Sequence, residues 1–239
     1  MIDQALVFSA AQTITASAIS QNNIPIAPSR DLFSGSPVRA RIHWNGTLAT
    51  ATSVDVRLEA TTKPLLWPNG TAVTVQNSGD TVTLAAHGLA VGTEVFFASY
   101  GGGGLVNATV YYVTNPTTNT FQLSSTTALA LAGTADIAPD ADDASVTMEQ
   151  YRLTLASTGA VSIARWNALK HATLEVPTIA RALEPSTPLL GGAAGADDAN
   201  YLSLQIVVAG SNLSGATLSA ELDLIATDPF KYYPSRSVV

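Results

Sequence analysis

The stretch "SVDVRLEATT", residues 53–62, decides how the rest of the chain is read. Val54, Val56 and Leu58 alternate with Asp55, Arg57 and Glu59, and a period of two sends neighbouring side chains to opposite faces of a β-strand. The pattern predicts a half-buried antiparallel strand, apolar face inward and charged face in water. "YLSLQIVVAG" (201–210) repeats it, with Leu202, Leu204, Ile206 and Val208 against Ser203 and Gln205. "ATLSAELDLIAT" (216–227) does so again, with Leu218, Leu222 and Leu224 against Ser219, Glu221 and Asp223. Between these two lies "GSNLSG", Gly210–Gly215, whose Gly and Asn residues accept positive φ, so the pair is predicted to be a C-terminal hairpin. Helical periodicity is scarce. "IARWNALKHA" (Ile163–Ala172) fits either two or three helical turns or an irregular connection. Many short strands separated by turn signals predict an all-β chain with a jelly-roll or β-sandwich scaffold.

The middle of the chain carries its own strand set. "DTVTLAAHGLAVGTEVFFAS" (80–99) supplies Val82 and Leu84, a turn at His87-Gly88, then Val95 and Phe97. "NATVYYVTNPTTNTFQLS" (107–124) reads as a hairpin, because two aromatic-rich apolar runs flank a Pro/Asn/Thr cluster. "ADDASVTME" (141–149) closes the set with Val146 and Met148. Pro64 and Pro68 cannot continue a central strand. Residues 63–150 are therefore expected to form a small β-domain inserted into a surface loop of a scaffold made from 1–62 and 151–239. On that reading "DVRLEATT" and "YRLTLAST" meet as strands of one scaffold.

Charge follows the same division. Residues 1–62 carry four basic and four acidic side chains, residues 63–150 one and seven, and residues 151–239 six and seven. The net charge of −7 thus sits almost wholly in the insert. An acidic chain lacks the Lys and Arg that neutralise phosphates, which argues against nucleic acid as a partner. No apolar run reaches the length of a membrane span, and the first twenty residues lack the basic start of a secretion signal. With no cysteine, disulfides, Cys-ligated zinc and thiol nucleophiles are excluded together.

Little in the chain resembles catalytic equipment. The run Gly101–Gly104 is followed by Leu-Val-Asn and not by the Gly-Lys-Ser/Thr of a phosphate loop, so a loop tip is expected. "DIAPDADDAS" offers Asp136, Asp140, Asp142 and Asp143 as oxygen ligands. Starting from Asp136 or Asp140, neither register places both the Gly and the Glu that an EF-hand requires, which leaves a solvated acidic turn or a non-standard calcium loop. His43, His87 and His171 stand far apart in sequence and in no metal-ligand motif. No G-x-S-x-G elbow is present. The chain is expected not to be an enzyme and to need no cofactor. Phe230, Tyr232, Tyr233 and Arg236 form an aromatic, basic end segment, where Tyr and Arg suit the centre of an interface.

Two further sets of residues carry a resemblance. "MIDQALVFSAAQTITASAISQNNIPI", "LEATT", "LTLASTGAVSIA", "ATLEVPTIAR", "YLSLQIVVAGSNLSGATLSAEL" and a terminal "YYPS" occur in order across 1–62 and 151–239. Together they resemble the capsid cement (decoration) proteins of tailed phages of the Bordetella-podovirus type. The insert resembles a small module of phage structural proteins through His87-Gly88-Leu89, Gly92, Val95, Phe97, Tyr111-Tyr112-Val113 and Thr120 to Ser124. It departs from that module at "GGGGLVNATV", which replaces the usual Leu-Pro before the hairpin.

The resemblance implies a jelly roll that binds the outer surface of an icosahedral head as a dimer or trimer and joins neighbouring major capsid subunits. Localisation on the virion follows, with the insert protruding. Phe8 and Gln12 in the N-terminal arm join Phe230, Tyr232, Tyr233 and Arg236 as expected contact residues. The alternative is a receptor- or glycan-binding appendage, in which exposed aromatics such as Tyr100 or Tyr111 would line a groove with Asp or Asn.

Overall fold

In the computed structural model the described residues are 7–26, 38–48, 51–102, 104–176, 200–210 and 216–224. Their strands pair antiparallel throughout and form three sheets. One contains β1 (Val7–Ile14), β4 (Val38–Asn45), β14 (His171–Val176) and β16 (Ala216–Leu224), in the order β1-β16-β4-β14. The second is centred on β5 (Ser53–Thr61), with β12 (Leu153–Ser157) on one side and β15 (Asn200–Ala209) on the other. The short strands β2 (Ala18–Ile19) and β3 (Ile24–Ile26) add to β15, and β13 (Val161–Ser162) adds to β5.

These two sheets make an all-β sandwich of jelly-roll type. Ala40, Ile42 and Trp44 of β4 and Leu218, Ala220 and Leu222 of β16 face Val54, Val56, Leu58, Leu202, Leu204 and Ile206 of the other sheet. Each of the larger aliphatic side chains removed from water contributes about 1.5–3 kcal/mol. The helix α2 (Ile163–Leu169) carries Trp166 into the same core. There the rings of Trp44 and Trp166 stack, 3.6 Å between centroids and 6° apart in plane. Trp44 Nε1 also donates to the Trp166 carbonyl at 2.8 Å, which pins the helix to β4. The helical alternative for 163–172 is thus the one adopted, ending at Lys170 in the left-handed region (φ 59°).

Two sequence expectations are corrected. The strands flanking "GSNLSG" are not a hairpin. β15 pairs with β5, β2 and β3, whereas β16 pairs with β4 and β1, so the chain crosses between sheets after Gly210. Nor is β5 open to water on its polar side. Glu59 is 1% exposed and Asp55 9%, and across the ladder Ser203 and Gln205 are equally buried. One face of the β5–β15 pair is covered by the core, and the other is covered at Glu59, Ser203 and Gln205 while Arg57 stays partly exposed.

The strands β6 (Thr71–Gln76), β7 (Thr81–Thr83), β8 (Glu94–Ser99), β9 (Tyr111–Thr114), β10 (Thr120–Ser124) and β11 (Asp143–Gln150) close into a barrel in the order β10-β7-β6-β11-β8-β9. Closure leaves the barrel without unpaired edges. The β9–β10 hairpin has Leu123 opposite Val113, and Asn115 supplies a positive φ of 46° at its turn. A short helix, α1 (Thr127–Leu131), packs against it, capped by Thr126 Oγ1 accepting from Leu129 N–H. Val75, Val82, Val95, Phe97, Val113, Phe121, Val146 and Met148 fill the interior. This core shares no residue with that of the sandwich. The chain leaves the sandwich at the end of β5 and returns into β12, and these strands are ladder neighbours, with Leu153 opposite Ala60.

Candidate functional surface

Along β4 the inward residues alternate with Arg39, Arg41, His43 and Asn45, which line the outer face of the first sheet. The register sets Arg39 between Glu175 and Asp223, Arg41 between Thr173 and Glu221, and His43 between His171 and Ser219. Arg39 binds Glu175 at 2.5 Å, an exposed pair worth about 0–1 kcal/mol. The face is therefore a ladder of mixed charge open to solvent. At its β1 side lies a groove of about 530 Å³, lined among others by Val7, Ala10, His43, Ala220 and Glu221. Separation in sequence had hidden the His43–His171 pair, since only the pairing register brings the two opposite each other. Among the described residues, no three His, Asp or Glu side chains are grouped so as to hold a metal.

The N-terminal expectation is half corrected. Phe8 is fully buried in the sandwich core, so its ring is not available to a partner. β1 is irregular here: Phe8 and Ser9 are both buried, and its ladder with β16 shifts register on either side of Ser9. Gln12 is half-buried and satisfied within the chain, donating to the Ile19 carbonyl at 2.7 Å and accepting from Ser9 Oγ at 2.7 Å. The edge of β1 is also covered by side chains: Ala10 N–H donates to Gln21 Oε1, and Asn22 Nδ2 donates to the Val7 carbonyl. Filling a strand edge in this way blocks the addition of a foreign strand there. Phe230, Tyr232, Tyr233 and Arg236 lie outside the described residues.

The covered side of the second sheet is the neck between sandwich and barrel. Residues 62–68 run as a strap beside it, with the Pro68 carbonyl accepting from Gln205 Nε2. Asn23 clasps Leu65 through both its amide and carbonyl, at 3.4 and 3.0 Å. Gln150 accepts from Leu66 N–H at 3.0 Å and donates to the Pro64 carbonyl at 2.8 Å. Arg152 donates to the Trp67 and Pro68 carbonyls at 3.2 and 3.1 Å and pairs with Glu149 at 3.0 Å. Tyr151 N–H donates to the Glu94 carbonyl, and Tyr151 meets Phe96 edge-on. Burial raises the pKa of Glu59, opposed by the Thr154 hydrogen bond and by Arg152 and Arg57. None of these neck residues stood out in the sequence beyond the two prolines of the strap.

In the barrel the aromatics expected to line a sugar groove are core residues. Tyr111 is 4% exposed, and its hydroxyl accepts from Val106 N–H at 2.7 Å. Tyr100 borders a depression of about 430 Å³ together with Asn107 and Asp143, but it is 6% exposed and its hydroxyl donates to the Ala141 carbonyl. The glycine run explains this burial. A Cβ at Gly102 would stand 2.4–2.9 Å from atoms of the Tyr100 ring. At Gly104 (φ 82°) a Cβ would lie 2.2 Å from the Ala138 carbonyl oxygen. Gly102 lets the loop lie close against the tyrosine, which stays buried. Burial raises the Tyr100 pKa, and for the same reason that of the half-buried Tyr112.

The acidic loop is used for local bonding. Asp136 accepts from both Ser125 N–H (2.7 Å) and Ser125 Oγ (2.5 Å), and these bonds lower its pKa. Asp142 accepts from Asn77 N–H at 2.8 Å, and the Asp140 carbonyl from Asn77 Nδ2 at 3.1 Å. His87 is buried. One neutral tautomer serves both its bonds, Nδ1 accepting from Leu89 N–H at 3.0 Å and Nε2 donating to the Thr120 carbonyl at 3.3 Å. Among the described residues no helix is long and apolar enough to cross a membrane. A scan of protein-family models matches no family to this chain, and a search of curated proteins finds no match either.

Proposed function

We propose that this chain is a capsid cement (decoration) protein, acting on the outer surface of an icosahedral phage head. Its partners on this reading are the major capsid protein and further copies of itself, in a dimer or trimer. The observation that carries the proposal is the division of the sandwich into an open sheet and an occupied one. The face built on Arg39, Arg41 and His43 is broad, preformed and near-neutral, whereas the other bears the strap and neck of an acidic barrel. A shell-binding body needs such a face, and an acidic lobe directed away from it stays solvated and keeps particles apart. The sequence resemblance across both parts points the same way.

The mechanism has no chemical step. A protein that binds adjoining subunits in the assembled shell more tightly than separated ones stabilises assembly by mass action, by about 2.7 kcal/mol per site at a hundredfold excess over Kd. A rigid β-face loses little conformational entropy on docking, and about 1,600 Å² of total buried surface is ordinary for a specific contact. Repetition over symmetry-related sites multiplies the effect. A receptor- or glycan-binding role for the barrel draws no support from Tyr100 and Tyr111, both buried.

The test is electron microscopy of heads with and without the protein, challenged by heat or low salt. Heads bearing it should survive conditions that rupture bare ones, with the Arg39–Arg41–His43 face toward the shell. Equal survival, or density placing the barrel between coat subunits, would overturn the reading.

A further inference from the structure

Two buried oxygen atoms near the strap have no donor. Glu59 and Gln205 lie one diagonal step apart on the outer face of the β5–β15 ladder, since Ser203 is opposite Glu59 and Gln205 opposite Arg57. Diagonal neighbours are within reach of long side chains. Both residues are nearly inaccessible, at 1% and 2% exposure. Glu59 Oε1 accepts from Thr154 Oγ1 at 3.1 Å, and Gln205 Nε2 donates to the Pro68 carbonyl. Glu59 Oε2 and Gln205 Oε1 are left buried without a partner. The amide cannot simply turn over, because its oxygen would then face the Pro68 carbonyl oxygen.

The two arginines whose charge favours the ionised form of Glu59 make their own bonds to other groups. On its own strand Arg57 binds Asp55 at 2.7 Å, and Asp55 repels it. Arg152, at the start of β12, is held by Glu149 and by two strap carbonyls. β15 presents Ser203, Gln205 and the phenol of Tyr201, and the strap contributes Lys63 as its one titratable side chain. Two orphaned buried acceptors on diagonal neighbours are costly, at about 1–3 kcal/mol each. A single proton between them satisfies both.

We propose that Glu59 is held as a neutral carboxylic acid whose Oε2–H donates to Gln205 Oε1, and that losing this proton to solvent unlocks the 62–68 strap and loosens the barrel on the sandwich. Burial is the main cause of the raised Glu59 pKa, which agrees with this arrangement. A raised folded-state pKa gives stabilisation that is complete below the ordinary glutamate range, about 4.3, and is lost as pH rises through the folded value. The neck is therefore tightest in acid.

Hydrogen exchange on the full chain tests this. The reporters are the amides of Leu65 and Leu66, which donate to Asn23 and Gln150. After correction for intrinsic exchange, their protection should fall with rising pH, about tenfold for each unit by which the folded pKa exceeds the ordinary one. In Glu59→Gln the new amide donates at every pH, so protection should stay flat. Equal pH dependence in both proteins, or protection that rises with pH, overturns the proposal. Should that variant not fold, a carboxyl-carbon titration of the wild-type chain decides. Glu59 should titrate above the other glutamates, and titration at or below them refutes the neutral acid.

Discussion

Phe121→Ala is the sharpest test of whether the two cores are energetically separate. Phe121 is fully buried in the barrel, opposite Val82, with its ring edge-on to His87 at 5.2 Å. Truncating a buried phenylalanine costs about 3–5 kcal/mol. In a unit of 60–100 residues each kcal/mol moves the melting temperature by about 4–8 °C. The barrel transition should therefore fall by at least about 12 °C. The sandwich has its own reporter, because the stacked Trp44–Trp166 pair lies wholly within its core and should give a coupled circular-dichroism signal. That signal should melt within a few degrees of wild type. Calorimetry counts the transitions, and dichroism assigns them. If this substitution leaves no barrel transition to follow, Phe121→Leu removes fewer buried atoms, costs less and keeps one measurable. A tryptophan signal that drops in step with the barrel would refute the separation.

Other outcomes follow from the same geometry. Replacing residues 63–150 by a short Gly-Ser link should preserve the tryptophan dichroism, because Ala60 and Leu153 are already ladder partners. Loss of that signal would show that the sandwich depends on the barrel. Gly104→Ala should destabilise the barrel by several kcal/mol, combining left-handed strain of about 1–2 kcal/mol with the collision at Ala138. Gly159→Ala has the same strain (φ 65°) but no atom within 4 Å, so denaturant titration should place its cost near about 1 kcal/mol. The lowered pKa of Asp136 makes its Ser125 clasp fully present above the ordinary aspartate range, about 3.9, and lost as pH falls through the lower folded value. Asp136→Asn should abolish that acid-dependent step in amide exchange at Ser125. An unchanged step would assign it to another group.

Alternation carried much of the fold. The apolar sides of β5, β15 and β16, and the β9–β10 hairpin with its Asn-Pro turn, were all legible from local pattern, because the pleat ties sequence parity to the face a residue occupies. What parity does not encode is the partner. Two alternating strands joined by a Gly/Asn connection look alike whether they pair side by side or cross from one sheet to the other. Only the nine-position match of β15 to β5 shows which occurs. Polar residues at alternate positions read as solvated, yet Glu59, Ser203 and Gln205 are buried, and the partner of Gln205, Pro68, is remote from it in sequence. Phe8 and Tyr111 were legible as aromatics but not as core residues. The neck was hidden for the same reason as the His43–His171 pair. Its parts come from 23, 59, 63–68, 149–154 and 203–205, and proximity in space has no local signature.

Because the barrel's two connections leave from adjacent positions on β5 and β12, a pull on it reaches the sandwich at one end of a single ladder. Loading of that kind opens hydrogen bonds one at a time and does not shear them together. The clasps of Asn23, Gln150 and Arg152 on residues 64–68 stand in line before the first of those rungs. Drag on the lobe is thus spent on polar side-chain contacts that can re-form, and the sheet beneath is spared.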